Sequence, residues 1–295
     1  MNKFKEIYIL IAGMLWGTQG LFMKNLSAVG VPNSVIGFIR TFFAFITLLV
    51  FVVITGRIKE LKVTKKTLFI CMLLGLTSQA IYNVSYSISV NLSGMSTAVI
   101  LLYTAPIFTC IGSIICFKEK LTNRKIIVLI MTIIGSVLTV TGGVFHNINI
   151  VWAGIFAGLI SGLCYGLTPI IGKFISEIDS PIAVVVYNFF FASIYLFAFS
   201  HPFTYKINFL TKEFLINSIL LGFVATAIPY VTYFYGLKVI DKPSKVPIIA
   251  SIEVIVACVI GMIFFGESLN LINILGIILV LLSIVVMNAN INHKL

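Results

Sequence analysis

One acidic side chain, Glu253, lies within an apolar run from Val246 to Phe265 that is long enough to cross a bilayer. A carboxylate near the centre of such a helix costs roughly 2.5–3.5 kcal/mol to insert, so it usually faces a cavity, a partner or a substrate. Its carboxyl group could carry a proton or bind a substrate ammonium. The alternative is a structural ion pair with Arg40 or Lys24, the nearest intramembrane cations.

Helical spacing predicts the direction in which Glu253 points. Ala250, Glu253, Ala257 and Gly261 fall at i, i+3, i+7 and i+11 and therefore share one stripe of small residues. Small residues permit close helix contact in membranes. We therefore expect this stripe to face the interior of the protein.

Arg40 is the cation most suited to recognising a substrate, because its planar fork matches a carboxylate. In the other interpretation Arg40 anchors the second helix, with its charged end extended toward the membrane surface. The sequence leaves both roles open.

Polar and aromatic residues share one face of the third apolar segment, where Gln79, Tyr82, Asn83 and Tyr86 stand at i, i+3, i+4 and i+7. Such a face needs partners inside a membrane. Around a central cavity it would supply hydrogen bonds and apolar walls for a small solute. Alternatively, these residues fill the core or sit at the membrane interface. Further candidates of the same kind are Trp16, Tyr165, Asn188, Tyr230 and Tyr233.

Constellations typical of enzymes are missing from the sequence. His146, His201 and His293 fall outside the apolar segments, no Walker-type phosphate loop is present, and the five cysteines lack metal-ligand spacing. We therefore expect no enzymatic activity, no metal and no cofactor.

Composition places the chain in the membrane. Of its 295 residues, 60% are hydrophobic and only 10% are charged, whereas a soluble domain has about 25% charged residues. The net charge of +11 comes mostly from short loops between apolar runs. A topology signal explains that distribution, so nucleic acid is not an expected partner.

Ten apolar segments have the length that a membrane-spanning helix requires. Because they are continuously apolar and do not alternate, they favour helices over a β-barrel. The predicted spans are 7–26, 33–55, 67–90, 95–117, 124–144, 150–172, 182–200, 213–237, 245–265 and 271–289.

The lysines and arginines predict the orientation of these spans. In a ten-helix arrangement nearly all loop cations fall on one side, and only Lys206 and Lys212 lie in loops on the other. Positive loops mark the cytoplasmic face. The sequence thus predicts a multi-pass protein of the cell membrane, with the lipid bilayer as a partner and both termini in the cytoplasm.

An internal repeat divides the chain at about residue 144. Gly17 aligns with Gly166 and Lys24 with Lys173, while 116–121 aligns with 264–269. Residues 1–144 and 145–295 would then each form a unit of five helices. Because five is odd, the second unit enters the membrane from the opposite side, which predicts an inverted repeat of the kind found in alternating-access transporters.

In their order along the chain, these motifs resemble the EamA branch of the drug/metabolite transporter superfamily. The resemblance rests on 16–18 (Trp-Gly-Thr), Arg40, Pro106, 118–121 (Lys-Glu-Lys-Leu) and 266–269 (Gly-Glu-Ser-Leu), together with Ile252-Glu253. Val254 follows Glu253, where the family commonly has proline. The likeness implies a ten-helix transporter of small metabolites, often an exporter of amino acids or related compounds, with a central cavity between the halves.

These observations predict an all-α integral membrane protein that transports a small molecule, such as an amino acid or an amine, by alternating access. Proton coupling would act through Glu253. A second possibility is a transporter of quaternary ammonium compounds with an aromatic cage. A channel or a non-transporting scaffold represents a different class of function.

Overall fold

The computed structural model describes residues 5–144 and 151–288, and within these ranges the chain is helical with ten membrane-spanning segments. His146 and His293 lie outside the described residues. The ten spans, named here in chain order, are α1 (Ile7–Ala28), α2 (Asn33–Ile54), α3 (Lys65–Ser93), α4 (Met95–Phe117), α5 (Asn123–Thr141), α6 (Trp152–Ser176), α7 (Pro181–Thr204), α8 (Lys212–Val239), α9 (Pro243–Phe265) and α10 (Leu271–Asn288). The all-α, ten-span prediction is confirmed.

Local sequence explains where several spans begin and end. The hydroxyls of Thr64, Thr122 and Thr211 accept hydrogen bonds from backbone N–H groups in the first turns of α3, α5 and α8. At their carboxyl ends, α4 and α9 stop at Lys118 and Gly266, both in the left-handed conformation.

Two spans contain breaks at positions that the repeat makes equivalent. In α4, helix Met95–Leu102 ends before Ala105–Phe117 begins, and Pro106 stands in the first turn of the second segment. In α9 the break falls at Ser251, immediately before helix Ile252–Phe265. The break in α9 therefore forms although valine, not proline, follows Glu253.

Wider turns of the π type form a second equivalent pair. They occupy Gly75–Ile81 in α3 and Phe223–Ala227 in α8. A π turn leaves carbonyl groups without their usual partners. Side chains add hydrogen bonds at both turns: Asn83 Nδ2 donates to Gln79 O, which also accepts from the Tyr82 N–H, and Thr226 Oγ1 donates to Leu221 O just before the second turn.

Helix packing is reciprocal between the two halves of the chain. Helix α1 packs against α8 and α9, as α6 packs against α3 and α4. Helix α2 contacts α8, as α7 contacts α3. Helices that occupy the same place in the two units also pack against each other, namely α2 against α7 and α5 against α10. This is the pattern that a two-fold axis between two five-helix units produces.

Glycines allow the closest of these approaches. A Cβ atom on Gly17 would stand 2.6 Å from the carbonyl oxygen of Glu253, and one on Gly166 would stand 2.5 Å from that of Ala105. Each glycine thus brings its helix onto the backbone beside the break of the opposing span. Backbone contact with α1 supports the segment that carries Glu253.

We expect Gly17→Ala to lower the melting temperature, because its methyl group requires α9 to move. Overpacking of this kind costs about 1–3 kcal/mol. Gly20→Ala is the matched control, since a Cβ there meets nothing within 4 Å. It should leave the melting temperature unchanged or raise it, because alanine favours a helix. Equal melting temperatures for the two purified variants would contradict this account of the α1–α9 contact.

Candidate functional site

A small cavity lies between the two halves, and six residues predicted from the sequence line it. Its volume is about 60 Å³. Helices α1 to α4 of the first half and α6, α8 and α9 of the second contribute to its wall. The lining residues are Trp16, Gln19, Arg40, Tyr82, Leu102, Tyr165, Tyr230 and Glu253.

The break in α9 positions Glu253. Because the helix restarts at Ile252, Glu253 lies in a first turn, where free backbone N–H groups and the helix dipole favour a negative group. Its Oε1 accepts a hydrogen bond from the Tyr165 hydroxyl at 3.4 Å. Ala250 and Gly261 of the predicted inward stripe are buried, whereas Ala257 is exposed.

Glu253 has no cationic partner within 4.0 Å among the residues described. Lys24 instead contacts Glu267, with its Nζ 3.4 Å from Oε1. Arg40 lines the same cavity but donates to two amides. The alternative of a structural ion pair to Glu253 is therefore not present in this conformation.

Two glutamine side chains hold Arg40. Its Nη1 donates to Gln19 Oε1 at 3.0 Å, and its Nη2 donates to Gln79 Oε1 at 2.8 Å. The Arg40 side chain is buried, at 7% exposure. These contacts use two of the five guanidinium N–H donors. The charge consequently faces the cavity from the second helix and does not extend toward the membrane surface.

Gln79 connects the two halves behind the cavity wall. It is fully buried in the π turn of α3, and its Nε2 donates to the Tyr230 hydroxyl of α8 at 2.6 Å. Because its oxygen accepts from Arg40, one amide fixes both a cation and a phenol. Helical irregularities of this type frequently mark functional positions.

Aromatic rings form much of the remaining wall. The ring of Tyr82 stacks on Tyr165 with centroids 5.8 Å apart, and Trp16 meets Tyr230 edge to face at 5.1 Å. The buried Nε1 of Trp16 has no hydrogen-bond partner among the described residues. A buried indole N–H normally finds an acceptor, so this donor is unsatisfied in the present conformation.

Four of the other predicted residues support the wall without lining it. Gln79 and Asn83 are joined through the π turn, Tyr86 stacks behind Tyr82 at 6.3 Å, and Tyr233 packs on Trp16 at 4.9 Å. Gln79, Tyr86 and Tyr233 contact cavity residues directly, and Asn83 acts on the wall only through Gln79.

Asn188 is not among the cavity residues. It is fully buried on α7, and neither its Oδ1 nor its Nδ2 has a hydrogen-bond partner in the described part of the chain. Its backbone oxygen approaches Gly75, at the start of the π turn of α3. Asn188 therefore belongs to the α3–α7 contact.

Two cavity residues, Gln19 and Leu102, were absent from the set predicted from the sequence. Gln19 follows Trp16 by three positions and thus shares its helical face, which was a usable signal. Leu102 gave no such signal, because it is one of many leucines and only the break in α4 places it at the cavity.

A larger groove, of about 580 Å³, lies between α2, α7 and α8. Phenylalanines dominate its wall, Ser193 is its one polar lining side chain in the described structure, and no ionisable group lines it. Despite its size it lacks groups that could orient a charged solute. The smaller cavity is therefore the better candidate.

Comparison with known proteins agrees with this architecture. The model of the EamA-like transporter family matches residues 3–141 and again residues 152–289. An "uncharacterized transporter" of Archaeoglobus fulgidus is 28% identical over 288 residues, which cover 96% of each chain. The "uncharacterized transporter YwfM" of Bacillus subtilis is 25% identical over 288 residues, covering 96% of this chain and 93% of that protein.

A solved structure, titled "Crystal structure of protein", has the same fold. It superposes with a TM-score of 0.81 at 15% identity and covers 97% of both chains. The repeated family match, the ten spans and the shared fold lead to one conclusion: this chain is a multi-pass membrane protein that belongs to the EamA-like transporter family.

Proposed function

We propose that the protein is a secondary transporter that exports an amino acid or a related amine from the cytoplasm by alternating access. The cavity between residues 1–144 and 145–295 is the proposed binding site. Glu253 is the proposed coupling group, which exchanges a proton as substrate binds and leaves. The direction of transport follows the family resemblance, and the proposed topology places both termini in the cytoplasm of a cell-membrane protein.

The observation that carries this proposal is an acid and a cation on one cavity wall without an ion pair between them. Glu253 bonds only to Tyr165 among the described residues, and Arg40 bonds to two neutral amides. A zwitterionic solute complements both charges. Its carboxylate would bind the fork of Arg40, and its ammonium would bind Glu253 and the faces of neighbouring aromatic rings.

Cavity size supports movement of the two units during transport. A volume of about 60 Å³ holds about two water molecules, whereas ligand sites usually measure about 300–1,000 Å³. An amino acid therefore enters only when the surrounding helices separate. The polar groups that would recognise it come from both units, so separation on either side would expose the same site.

Transport of a quaternary ammonium compound is the second candidate. The stacked rings of Tyr82 and Tyr165 beside the Glu253 carboxyl group resemble part of an aromatic cage. The charge of Arg40 on the same wall disfavours a ligand that is only cationic. A zwitterion is for that reason the preferred substrate class.

The first test is a thermal-shift screen of the purified wild type against amino acids, the matching primary amines and quaternary ammonium compounds. A ligand stabilises the folded state by mass action. We expect amino acids to raise the melting temperature most. Stabilisation by quaternary ammonium compounds alone would favour the second candidate.

Flux measurements in proteoliposomes then separate a carrier from a channel or a scaffold. A carrier should show uptake that saturates with substrate and responds to a proton gradient. Flux that never saturates would indicate a channel, and a chain that binds no solute and supports no flux would be a scaffold.

A further inference from the structure

Glu119 and Glu267 occupy equivalent places in the repeat, on opposite sides of the membrane. Each follows a left-handed residue that ends a helix, Lys118 in one unit and Gly266 in the other. The N–H of Glu119 donates to Ser113 O at 3.3 Å, and that of Glu267 donates to Gly261 O at 3.2 Å. The backbone is thus the same at both sites, and differences between them lie in the side-chain contacts.

Glu119 joins the end of α4 to the start of α9. Its carboxylate accepts from Ser244 Oγ at 2.6 Å, from Ser244 N at 3.3 Å and from Lys125 Nζ at 2.5 Å. The side chain of Glu119 is only 6% exposed. Burial alone would raise its pKa, but the hydrogen bonds from Lys125 and Ser244 outweigh this effect and hold the pKa below its usual value.

Glu267 contacts a different element of the opposing unit. It pairs with Lys24 of α1 at 3.4 Å, and both side chains are more than half exposed. The Nζ of Lys24 also lies 3.7 Å from the ring centroid of Phe265. From the opposing unit, the equivalent glutamates therefore take two kinds of partner: Glu119 binds a serine at the start of a broken helix, and Glu267 binds a lysine near the end of a glycine-rich helix. Glu119 in addition pairs with Lys125 of its own unit.

The repeat indicates which residue each glutamate would contact if the two units exchanged conformations. Lys24 aligns with Lys173, and Ser96 stands second in α4 just as Ser244 stands second in α9. In this conformation Lys173 binds Glu177 at 2.8 Å and the carbonyl of Lys238 at 3.3 Å.

A second observation marks the start of α4 as a place that lacks a contact. The hydroxyl of Thr97, next to Ser96, is buried without a hydrogen-bond partner among the described residues. The matching start of α9 is fully engaged, since Ser244 binds Glu119 and Lys245 binds Glu6. A buried polar group without a partner is costly, so a conformation that supplies one is favoured at this site.

We propose that Glu119 and Glu267 are positioning residues that exchange partners as the two units exchange conformations. Glu119 passes from Ser244 to Lys173, while Glu267 passes from Lys24 to Ser96 and the adjacent Thr97. Each carboxylate then has a partner from the opposing unit in both conformations, and Glu119 also keeps its ion pair with Lys125 of its own unit. This inference rests on the proposed alternating access.

Four substitutions separate the two conformations, because each removes a partner that Glu119 or Glu267 uses in only one. Lys173 also binds Glu177 and the Lys238 carbonyl in the present conformation, so Ser96→Ala is the more selective test of the exchanged one. Ser244→Ala and Lys24→Gln weaken the contacts of the present conformation. Lys173→Gln and Ser96→Ala weaken those of the exchanged one. A purely structural role predicts general loss of stability and no opposite effects on conformation.

The experiment measures spin-label distances by pulsed electron resonance in lipid nanodiscs, with the five native cysteines replaced. Exposed label pairs are Lys59 with Lys242 on the lysine-rich side and Val29 with Leu271 on the other. We expect two distance populations in the wild type. Ser244→Ala should shift their ratio about tenfold toward the exchanged conformation, the effect expected for loss of one hydrogen bond to a charged group. Lys24→Gln should shift it in the same direction but by no more than about fivefold, because the Lys24–Glu267 pair is exposed to solvent.

Lys173→Gln and Ser96→Ala should shift the same ratio in the opposite direction. Shifts in one direction for all four variants, or unchanged populations in all four, would overturn the partner exchange while leaving alternating access intact. A single population in the wild type and in every variant would contradict alternating access itself, and the exchange with it.

Discussion

Glu253→Gln is expected to abolish proton-coupled transport while leaving the fold intact. Glutamine has nearly the same shape but cannot carry a proton or attract an ammonium group. Removal of the charge leaves no cation unpaired, because Glu253 has no ionic partner within 4.0 Å among the described residues. The hydrogen bond from Tyr165 can be retained by the amide oxygen. The melting temperature without ligand should therefore stay the same or rise.

The measurement is uptake into proteoliposomes with and without a proton gradient, combined with thermal shifts in the amino acid series. Glu213→Gln is the control, since Glu213 is an exposed acid in the first turn of α8. It should transport as the wild type does. If Glu253→Gln instead melts far lower and still responds to ligand, Glu253 is a structural residue and the proposed coupling is wrong.

The cost of a charge in hydrocarbon is what made Glu253 predictable from the sequence. The same argument identified Arg40, and helical spacing placed Tyr82 on the cavity side of α3. Apolar length was enough to predict ten spans, because a bilayer imposes one minimum length on every crossing helix. These predictions depend on local composition and on the membrane alone.

Residues whose position depends on helix breaks were harder to predict. Leu102 reaches the cavity because α4 stops and restarts beside it, and the α9 break at Ser251 occurs without a following proline. Such breaks are stabilised by contacts from another unit, such as Gly17 against the carbonyl of Glu253. Sequence periodicity does not report contacts between distant segments.

The difference between Glu119 and Glu267 was also beyond prediction from the sequence. The aligned segments 116–121 and 264–269 place both glutamates in similar local sequence, and the repeat offers each a serine and a lysine of the opposing unit. Lys125, which pairs with Glu119, has Asn273 at the equivalent position. Only a particular conformation shows that Glu119 is buried against Ser244 while Glu267 remains exposed beside Lys24. Sequence motifs do not determine which of these contacts forms, because that depends on how the two units pack.

Arg40→Met is expected to abolish recognition of amino acids and to destabilise the protein. Methionine provides no donor, so the Oε1 atoms of Gln19 and Gln79 lose the hydrogen bonds that Arg40 gives them. An unsatisfied buried oxygen costs about 1–3 kcal/mol. Removal of the buried positive charge recovers part of this lost stability, because the charge was costly to bury. Arg40→Lys keeps the charge but loses the fork, so it should fold better and bind amino acids weakly.

A ligand pair tests the assigned role directly: an amino acid and the primary amine that lacks only its carboxylate. In the wild type we expect the amino acid to give the larger thermal shift. In Arg40→Lys the difference between the two thermal shifts should shrink. The shift produced by the amine should persist, because Glu253 still binds its ammonium group. If the thermal shifts of both ligands fall equally, Arg40 only supports the cavity wall. If the amino acid keeps its full advantage over the amine, its carboxylate binds elsewhere. Because Arg40→Lys keeps a cation beside Gln19 and Gln79, this comparison remains informative even if Arg40→Met does not fold.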